Sequence, residues 1–398
     1  MNTCEIRKID TWTRALTAAL FVGVLWLPML DTLFHWDSTA QVDENRYLAP
    51  FPTPPRGLGA ARTFISGLDA YYTDHFGFRK RLIFWAQRWK RQWFREMWQS
   101  QVIIGKEGWL FYAGWEAGEE RPRAARPFAP RELWEWQQLF ETRRDWLARR
   151  GIHYLVVVPP DKQAIYPEYL PAWAAKPEAT AKLDTFMSHM KARSSVEVLD
   201  LRPALLATKR LRRPYPLTGL HWNQCGAFAA YTEIVRALAR QMPGLEPLPL
   251  SRFREDAHVE LGGDLAKLLA FAQTMIERDA ITLLPRPPLE AVPITETQTK
   301  QAAIHRTDNP TQTGEAVLFG DSFAEGLLPF LAYHFHEVWL CNVYAHHPLD
   351  PSGKVVCAHT WIPALIEQQQ PRVVIDEIEE SLLLSEDPGV ILREDGWK

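Results

Sequence analysis

The run Ala316-Val317-Leu318-Phe319-Gly320-Asp321-Ser322-Phe323-Ala324-Glu325-Gly326 decides how the chain is read. An apolar stretch ends in Gly-Asp-Ser and then passes into the periodic segment Glu325 to Phe335, the pattern of a buried strand, a tight turn and a helix with Ser322 at the turn. A hydroxyl at the carboxyl end of such a strand faces the crevice of an open sheet, and amides at the following helix start can stabilise a developing oxyanion. The competing reading is that Asp321 and Ser322 only cap the helix. The surrounding chain has to discriminate between the two.

Working outward, short β-branched strands are expected at Tyr154 to Val158, Val196 to Leu201, Ala316 to Phe319, Glu337 to Val343 and Arg372 to Ile378. Helical patterns alternate with them over Arg131 to Arg150, Thr180 to Arg193, Gln224 to Gln241, Glu325 to Phe335 and Trp361 to Gln369. A further helix is expected from Asp264 to Arg278, followed by a Pro- and Thr-rich loop from Leu284 to Gln312. Val102 to Tyr112 reads as two short strands about a Lys106-Glu107-Gly108 turn. Helices alternating with strands give an α/β fold, a mostly parallel sheet with helices on both faces.

Ala15 to Leu30 is apolar and uncharged, with Arg7, Lys8 and Arg14 before it and Asp31 after it. The basic flank keeps the amino end in the cytoplasm and sends the rest across the membrane. A cleaved signal needs small residues before its cut, and Val24 to Leu30 supplies none, so an uncleaved anchor is preferred to a cleaved signal. The expected organisation is an anchor segment over 1–36, a Pro-rich linker and helical region over 37–100, and the sheet domain over 101–398. Between residues 60 and 98 aromatics interleave with Arg79, Lys80, Arg81, Arg88, Lys90, Arg91 and Arg95; solvated helix faces explain this better than a headgroup or acidic-polymer surface.

A formal net charge of -3 leaves no excess of cations to neutralise phosphates, which argues against a nucleic-acid partner. No G-x-G-x-x-G or Walker loop occurs, so no nucleotide cofactor is expected. The 17 tryptophans fit core and membrane-interface positions better than a sugar-stacking surface. Of the four cysteines, Cys4 would lie across the membrane from Cys225, Cys341 and Cys357, so at most one disulfide can form within the exported chain, with Cys341 and Cys357 a conceivable pair.

A serine nucleophile needs a base. His221, in Leu217-Thr218-Gly219-Leu220-His221-Trp222-Asn223, lies in a polar loop just before the helix that Asn223 would cap. His346, His347 and His359 form a rival cluster, but their spacing matches no strong metal motif.

Taken together, Gly105-Lys106-Glu107-Gly108-Trp109-Leu110-Phe111, Pro159-Pro160-Asp161-Lys162 with Tyr166-Pro167, His221-Trp222-Asn223 with Gly226, Gly263-Asp264-Leu265, Gly320-Asp321-Ser322-Phe323 and Val373-Val374-Ile375 resemble the AlgJ/AlgX family of exported polysaccharide O-acetyltransferases. The resemblance spans about residues 40 to 385 and looks closer to AlgJ, because of the N-terminal anchor and because the chain stops soon after the last strand. It implies an SGNH-hydrolase-like domain in which Ser322 takes the acetyl group and His221 is its base, with no metal or diffusible cofactor. It also implies a periplasmic protein at the inner membrane, a polysaccharide acceptor such as alginate, a polytopic membrane acyltransferase as acetyl donor, and membership of an exopolysaccharide synthesis and secretion complex. The family places an aspartate two residues before the histidine, and here that position is Gly219.

An orienting carboxylate fixes the imidazole tautomer, so its absence leaves three outcomes. Ser322 and His221 work as a dyad, or a carboxylate from elsewhere, such as Asp264, Asp200 or Asp161, takes the vacant role. Otherwise the site is degenerate and the chain is a polysaccharide-binding or scaffold subunit. For Asp264 taken alone, a helix N-cap is the preferred expectation. Transferase and esterase differ only in whether sugar or water resolves the intermediate.

Overall fold

The computed structural model describes residues 3–34, 36, 49–54, 61–79, 81, 82, 85, 102–113, 126–174, 177–269, 271–298, 303–342 and 361–394. The chain divides into two compact units, Met1–Trp98 with Ala266–Thr274, and Gln99–Leu265 with Met275–Lys398. In the first, a 32-residue helix runs from Thr3 to Phe34 and a second helix covers Ala61–His75. The apolar window Trp12–Thr32 is 21 residues long. At a rise of about 1.5 Å per residue it matches a hydrocarbon layer of about 30 Å, so the helix is a candidate anchor. Asp31, next to the end of that window, is buried and accepts the Phe78 amide at 2.8 Å, while Thr32 Oγ1 accepts the Gly77 amide at 2.9 Å. Most of the linker lies outside the described residues, as do Lys80, Arg88, Lys90, Arg91 and Arg95 of the basic aromatic stretch, the histidines at 346, 347 and 359 and the cysteine at 357.

Among the described residues, the second unit is built on a seven-stranded sheet with two two-stranded ribbons beside it. In chain order its strands are β1 (Val102–Ile104), β2 (Leu110–Tyr112), β3 (His153–Val158), β4 (Val198–Asp200), β5 (Phe253–Leu261), β6 (Ile276–Pro285), β7 (Ile294–Gln298), β8 (Ala303–Thr307), β9 (Glu315–Gly320), β10 (Glu337–Asn342) and β11 (Val373–Glu377). The large sheet has the order β4-β3-β11-β9-β10-β8-β7. Its first five strands are parallel, and β8 and β7 continue it antiparallel. This is the mostly parallel α/β sheet that the alternation of elements predicts.

Side-chain alternation explains why the central strands read as unbroken apolar runs. Ala316 and Leu318 enter one core, with Leu155, Val157 and Ile375, against the helix Gln224–Ala239. Val317 and Phe319 enter the other, with Val156 and Val374, against the helices Pro130–Ala148 and Pro177–Arg193. Both faces are covered at the centre of the sheet, so β9 and β11 are buried almost throughout. In the second core Arg143 donates to Asp376 Oδ2 at 2.7 Å, with neither side chain exposed, and Tyr154 donates its hydroxyl to the same oxygen. The guanidinium also lies 4.7 Å from the Trp361 ring centroid.

Three expectations are corrected. The segment Asp264 to Arg278 is not one helix: the helix ends at Leu268, and Ile276 already opens β6, which pairs antiparallel with β5. Arg254 to Glu260 is nearly all polar because this ribbon is largely exposed, so its strands carry no burial alternation to read. Leu284 to Gln312 is not only loop; β7 and β8 lie within it, and β7 is an exposed edge strand. Finally, Glu325 to Phe335 is broken into a 3₁₀ turn, Ala324–Leu327, and a short helix, Leu328–Leu331, started by Pro329.

The Arg143–Asp376 pair sets an expected cost for the second core. Arg143→Met leaves the Asp376 charge buried with only partial compensation, a loss of about 3–5 kcal/mol. Urea unfolding of the full-length protein in detergent checks this, and a loss under about 1 kcal/mol would show that Tyr154 and its surroundings suffice.

Candidate active site

β9 lies between β10 and β11, and the chain leaves it first toward β10 and returns through the helix Pro363–Gln369 to β11 on the other side. Such a reversal opens a crevice at the carboxyl end of the central strand, and Ser322 stands there, exposed. Asp321 builds the turn that presents it. Its Oδ1 accepts the Phe323 amide at 2.8 Å, and its Oδ2 accepts the Glu379 amide at 3.1 Å. The Asp321 amide in turn reaches Glu377 Oε2 at 3.0 Å. Gly320 is required by this packing, since a Cβ there would lie 2.4 Å from Glu377 Oε2.

Two of the amides proposed from sequence as oxyanion donors are already committed. Phe323 donates to the Asp321 side chain, and Ala324 donates to the Asp321 carbonyl at 3.2 Å. The helix start imagined after Ser322 is a 3₁₀ turn, so the site owes its shape to Asp321 rather than to a helix end.

The structure brings Ser322 and His221 together, with His221 Nε2 2.6 Å from Ser322 Oγ across 101 residues of sequence. The two loops are also knitted by Trp222, whose Nε1 donates to the Phe323 carbonyl at 3.1 Å and whose ring meets Phe323 edge-on at 5.3 Å. Behind His221, Asn223 caps the helix Gln224–Ala239 by accepting the Cys225 and Gly226 amides at 3.0 and 3.1 Å. It also donates its side-chain amide to the Arg213 carbonyl at 2.6 Å, which ties the base loop to the preceding chain.

The carboxylate beside the ring is Asp264. Its Oδ2 lies 2.7 Å from His221 Nδ1, and its Oδ1 accepts the Leu220 amide at 2.6 Å and the Leu265 amide at 2.9 Å. An ionised carboxylate can only accept, so the proton sits on Nδ1 and the Nε2 lone pair faces the serine hydroxyl. The other two candidates are engaged elsewhere. Asp200 takes the backbone amide and guanidinium of Arg202, and Asp161 lies against Glu379 and Glu380.

Asp264 sits at the tip of the β5–β6 ribbon, which delivers it across the base loop. Gly219 and Gly263 make this approach possible: a Cβ on Gly263 would come 3.0 Å from the Gly219 Cα, and one on Gly219 would come 2.6 Å from Pro216 Cγ. The Gly263 amide also donates to Thr218 Oγ1 at 2.9 Å. Helix capping, the preferred expectation for Asp264, is displaced by these contacts with the imidazole and the Leu220 amide.

The electrostatics agree from both sides. Burial pulls the His221 imidazole down, but the hydrogen bond and charge of Asp264, with Asp321 and Glu325 farther off, outweigh it and leave the ring above its ordinary 6.5. Burial raises Asp264, yet its bond to His221 and the two amides bring it below its ordinary 3.8. Each group thus favours the charged state of the other.

Sequence reasoning missed Glu277, Thr218 and the structural part played by Lys162. Glu277 is buried on β6, inside the segment read as helix, and accepts the Thr218 amide at 2.6 Å and the Leu217 amide at 3.1 Å. Lys162 stood in a quoted block, with no sign of its target. The carboxyl cluster below the serine turn was also unforeseen. Burial first, then the charge of Asp321, pushes Glu377 well above the usual range, and burial with Asp161 raises Glu380 to about 8.

Comparison with known proteins follows the same outline. A Bacillus cereus PatB1 structure carrying a sulfonyl adduct is similar over 73% of this chain and 99% of its own, with a TM-score of 0.51 and 15% identity, a likeness of fold. The O-acetyltransferase domain of Pseudomonas putida AlgJ aligns over 75% of this chain and 99% of its own at 20% identity and a TM-score of 0.46. Pseudomonas aeruginosa AlgX aligns over 73% and 67% at 17% identity and a TM-score of 0.42. No curated protein sequence matches the chain. The model of the SGNH hydrolase-like domain of acetyltransferase AlgX matches residues 102–380, well over half of the length, and the chain belongs to that family.

Proposed function

We propose that this protein is a periplasmic O-acetyltransferase, held at the inner membrane by its N-terminal helix, that acetylates hydroxyls of an exopolysaccharide of the alginate kind through an acetyl-serine on Ser322. The observation that carries the reading is the unbroken relay Ser322–His221–Asp264, at 2.6 and 2.7 Å. It removes the main ground for a degenerate site, because the carboxylate missing at Gly219 is supplied from another loop.

In the first half-reaction Ser322 Oγ attacks the acetyl carbonyl while His221 Nε2 takes the hydroxyl proton, and Asp264 holds and stabilises the resulting imidazolium. Collapse of the tetrahedral adduct expels the donor's leaving group, which collects that proton. In the second, Nε2 takes the proton of a sugar hydroxyl as it attacks the acetyl-serine, and the proton returns to Ser322 Oγ as the ester bond to the enzyme breaks. The candidate anchor supports delivery of acetyl groups by a polytopic membrane acyltransferase within a synthesis and secretion complex.

Full-length protein in detergent, treated with 4-nitrophenyl acetate, is expected to gain one acetyl mass, and Ser322→Ala to gain none. An unmodified wild-type chain across the pH range would favour the binding or scaffold subunit instead. Adding an oligosaccharide acceptor should discharge the adduct faster than water does; equal rates would make the protein an esterase.

Asp264→Asn should slow serine acetylation by about 10³–10⁴-fold by losing the tautomer and the imidazolium partner. Gly219→Asp should fail to rescue it, because its side chain meets Pro216. The base must be neutral, so wild-type acetylation should fall as pH drops through a value above 6.5. Removing the Asp264 charge lets the imidazolium lose its proton more readily, so the acid limb of Asp264→Asn should move to lower pH. A limb left in place would show that Asp264 does not face the working base.

A further inference from the structure

We propose that Lys162 is a positioning residue for the reaction, holding the loop that carries His221 from the side opposite Glu277 so that the imidazole meets both Ser322 and Asp264. The inference rests on the acyl-transfer reading of the site and adds to it a residue that touches neither substrate nor the reacting atoms.

Lys162 starts a short helix, Lys162–Ile165, just past the carboxyl end of β3, and its side chain is 1% exposed. Its Nζ donates to the carbonyls of Leu110 at 2.7 Å, Leu217 at 2.9 Å and Gly219 at 2.9 Å. Three acceptors match the three N–H bonds of an ammonium. The faces of Trp109 and Phe111, with centroids at 5.0 and 5.4 Å, complete a cage for a cation.

Across the same loop, Glu277 accepts the amides of Leu217 and Thr218 and the Thr218 hydroxyl. The Leu217–Thr218 peptide unit therefore lies between the cation on its carbonyl and the carboxylate on its amide, and the same cation holds the Gly219 carbonyl. Directly after Gly219, the Leu220 amide and the His221 ring occupy the two oxygens of Asp264. The loop backbone is thus held at the Leu217, Thr218 and Leu220 amides and at the Leu217 and Gly219 carbonyls, and Lys162 bonds both of those carbonyls.

The charges that face Lys162 are Glu277 from β6, Asp264 from the ribbon tip and Arg213 from the chain before the base loop. Burial is the largest influence and pulls the ammonium down to about 7, against the opposing pull of Glu277 and Asp264. Deprotonation leaves two N–H bonds for three carbonyls, so the lysine releases one of the carbonyls it holds. The rate of serine acetylation should consequently fall again on the alkaline side of its optimum.

The test is the pH dependence of serine acetylation by 4-nitrophenyl acetate, followed by intact mass on the full-length chain in detergent. Lys162→Met should unfold cooperatively, acetylate about 10²-fold more slowly at its optimum, in line with the cost of a misplaced base, and show no descending alkaline limb. Glu277→Gln removes the charge that keeps the lysine protonated, so its descending limb should move to lower pH. A folded Lys162→Met with the wild-type rate and profile overturns the proposal. If that variant does not fold, the wild-type and Glu277→Gln profiles decide: a wild-type rate with no alkaline fall up to about pH 10, or a limb unmoved by Glu277→Gln, overturns it equally. A wild-type chain that takes up no acetyl at any pH defeats the acyl-transfer reading itself, and this inference falls with it. An acetylated wild type with an indifferent Lys162→Met strikes only the lysine.

Discussion

The hydrogen bond between Asp264 Oδ2 and His221 Nδ1 is the interaction on which the candidate site depends. Without it the ring is free to choose its tautomer, and burial alone would disfavour the imidazolium that acyl transfer has to form. With it, Nε2 is left as an acceptor aimed at the Ser322 hydroxyl. Everything around the pair serves to bring a carboxylate from the tip of a polar ribbon to a ring at the edge of a sheet. A Cβ on Gly219 would crowd Pro216 at 2.6 Å and lie 3.3 Å from Asp264 Oδ1, so the bare backbone there leaves room for the carboxylate.

Close backbone approach is the means. Gly219 and Gly263 touch where any side chain would separate them, and Thr218 Oγ1 accepts the Gly263 amide to lock the contact. The same hydroxyl donates to Glu277, so one threonine joins the base loop to the ribbon tip at two points, Gly263 and Glu277. Lys162 and Glu277 then bind the two ends of the Leu217–Thr218 peptide unit and polarise it. Leu217 and Leu220 pack against the main core, and charge-assisted hydrogen bonds define the backbone between them.

On the serine side the logic is different. Asp321 is almost fully buried and gives one oxygen to the turn and the other to the Glu379 amide, which binds the end of β11 to the end of β9. Glu377 and Glu379 lie beside it with their carboxyls pushed well above the usual range, burial being the first cause in each. Neutral acids can stand next to Asp321 without the repulsion that three carboxylates would bring. The nucleophile therefore rests on a rigid acidic floor, while the base is held by a clamp of opposite charges.

Much of this was legible beforehand, for a physical reason. Strands buried on both faces announce themselves as apolar runs, so β3, β9, β10 and β11 and the helices between them follow from local pattern. The apolar stretch behind Arg7, Lys8 and Arg14 marked the long N-terminal helix in the same way. Ser322 and His221 could be named as a pair from a turn signature and a capped polar loop, and from the order of the blocks around them. The exposed ribbon β5–β6 and the edge strand β7 escaped because an exposed strand needs no alternation, and its pairing partner is invisible in the local sequence. The break in the segment after Ser322 escaped too, since Gly326 answers to the Trp222 ring and not to helix periodicity. The identity of the third residue of the relay lay furthest out of reach. Asp264 is 43 residues from His221, and its own neighbourhood reads as a helix start. Sequence by itself determined the sheet, the candidate anchor and the two residues to test first. Only the tertiary structure decided which carboxylate meets the ring, because that choice depends on two glycines letting separate loops touch.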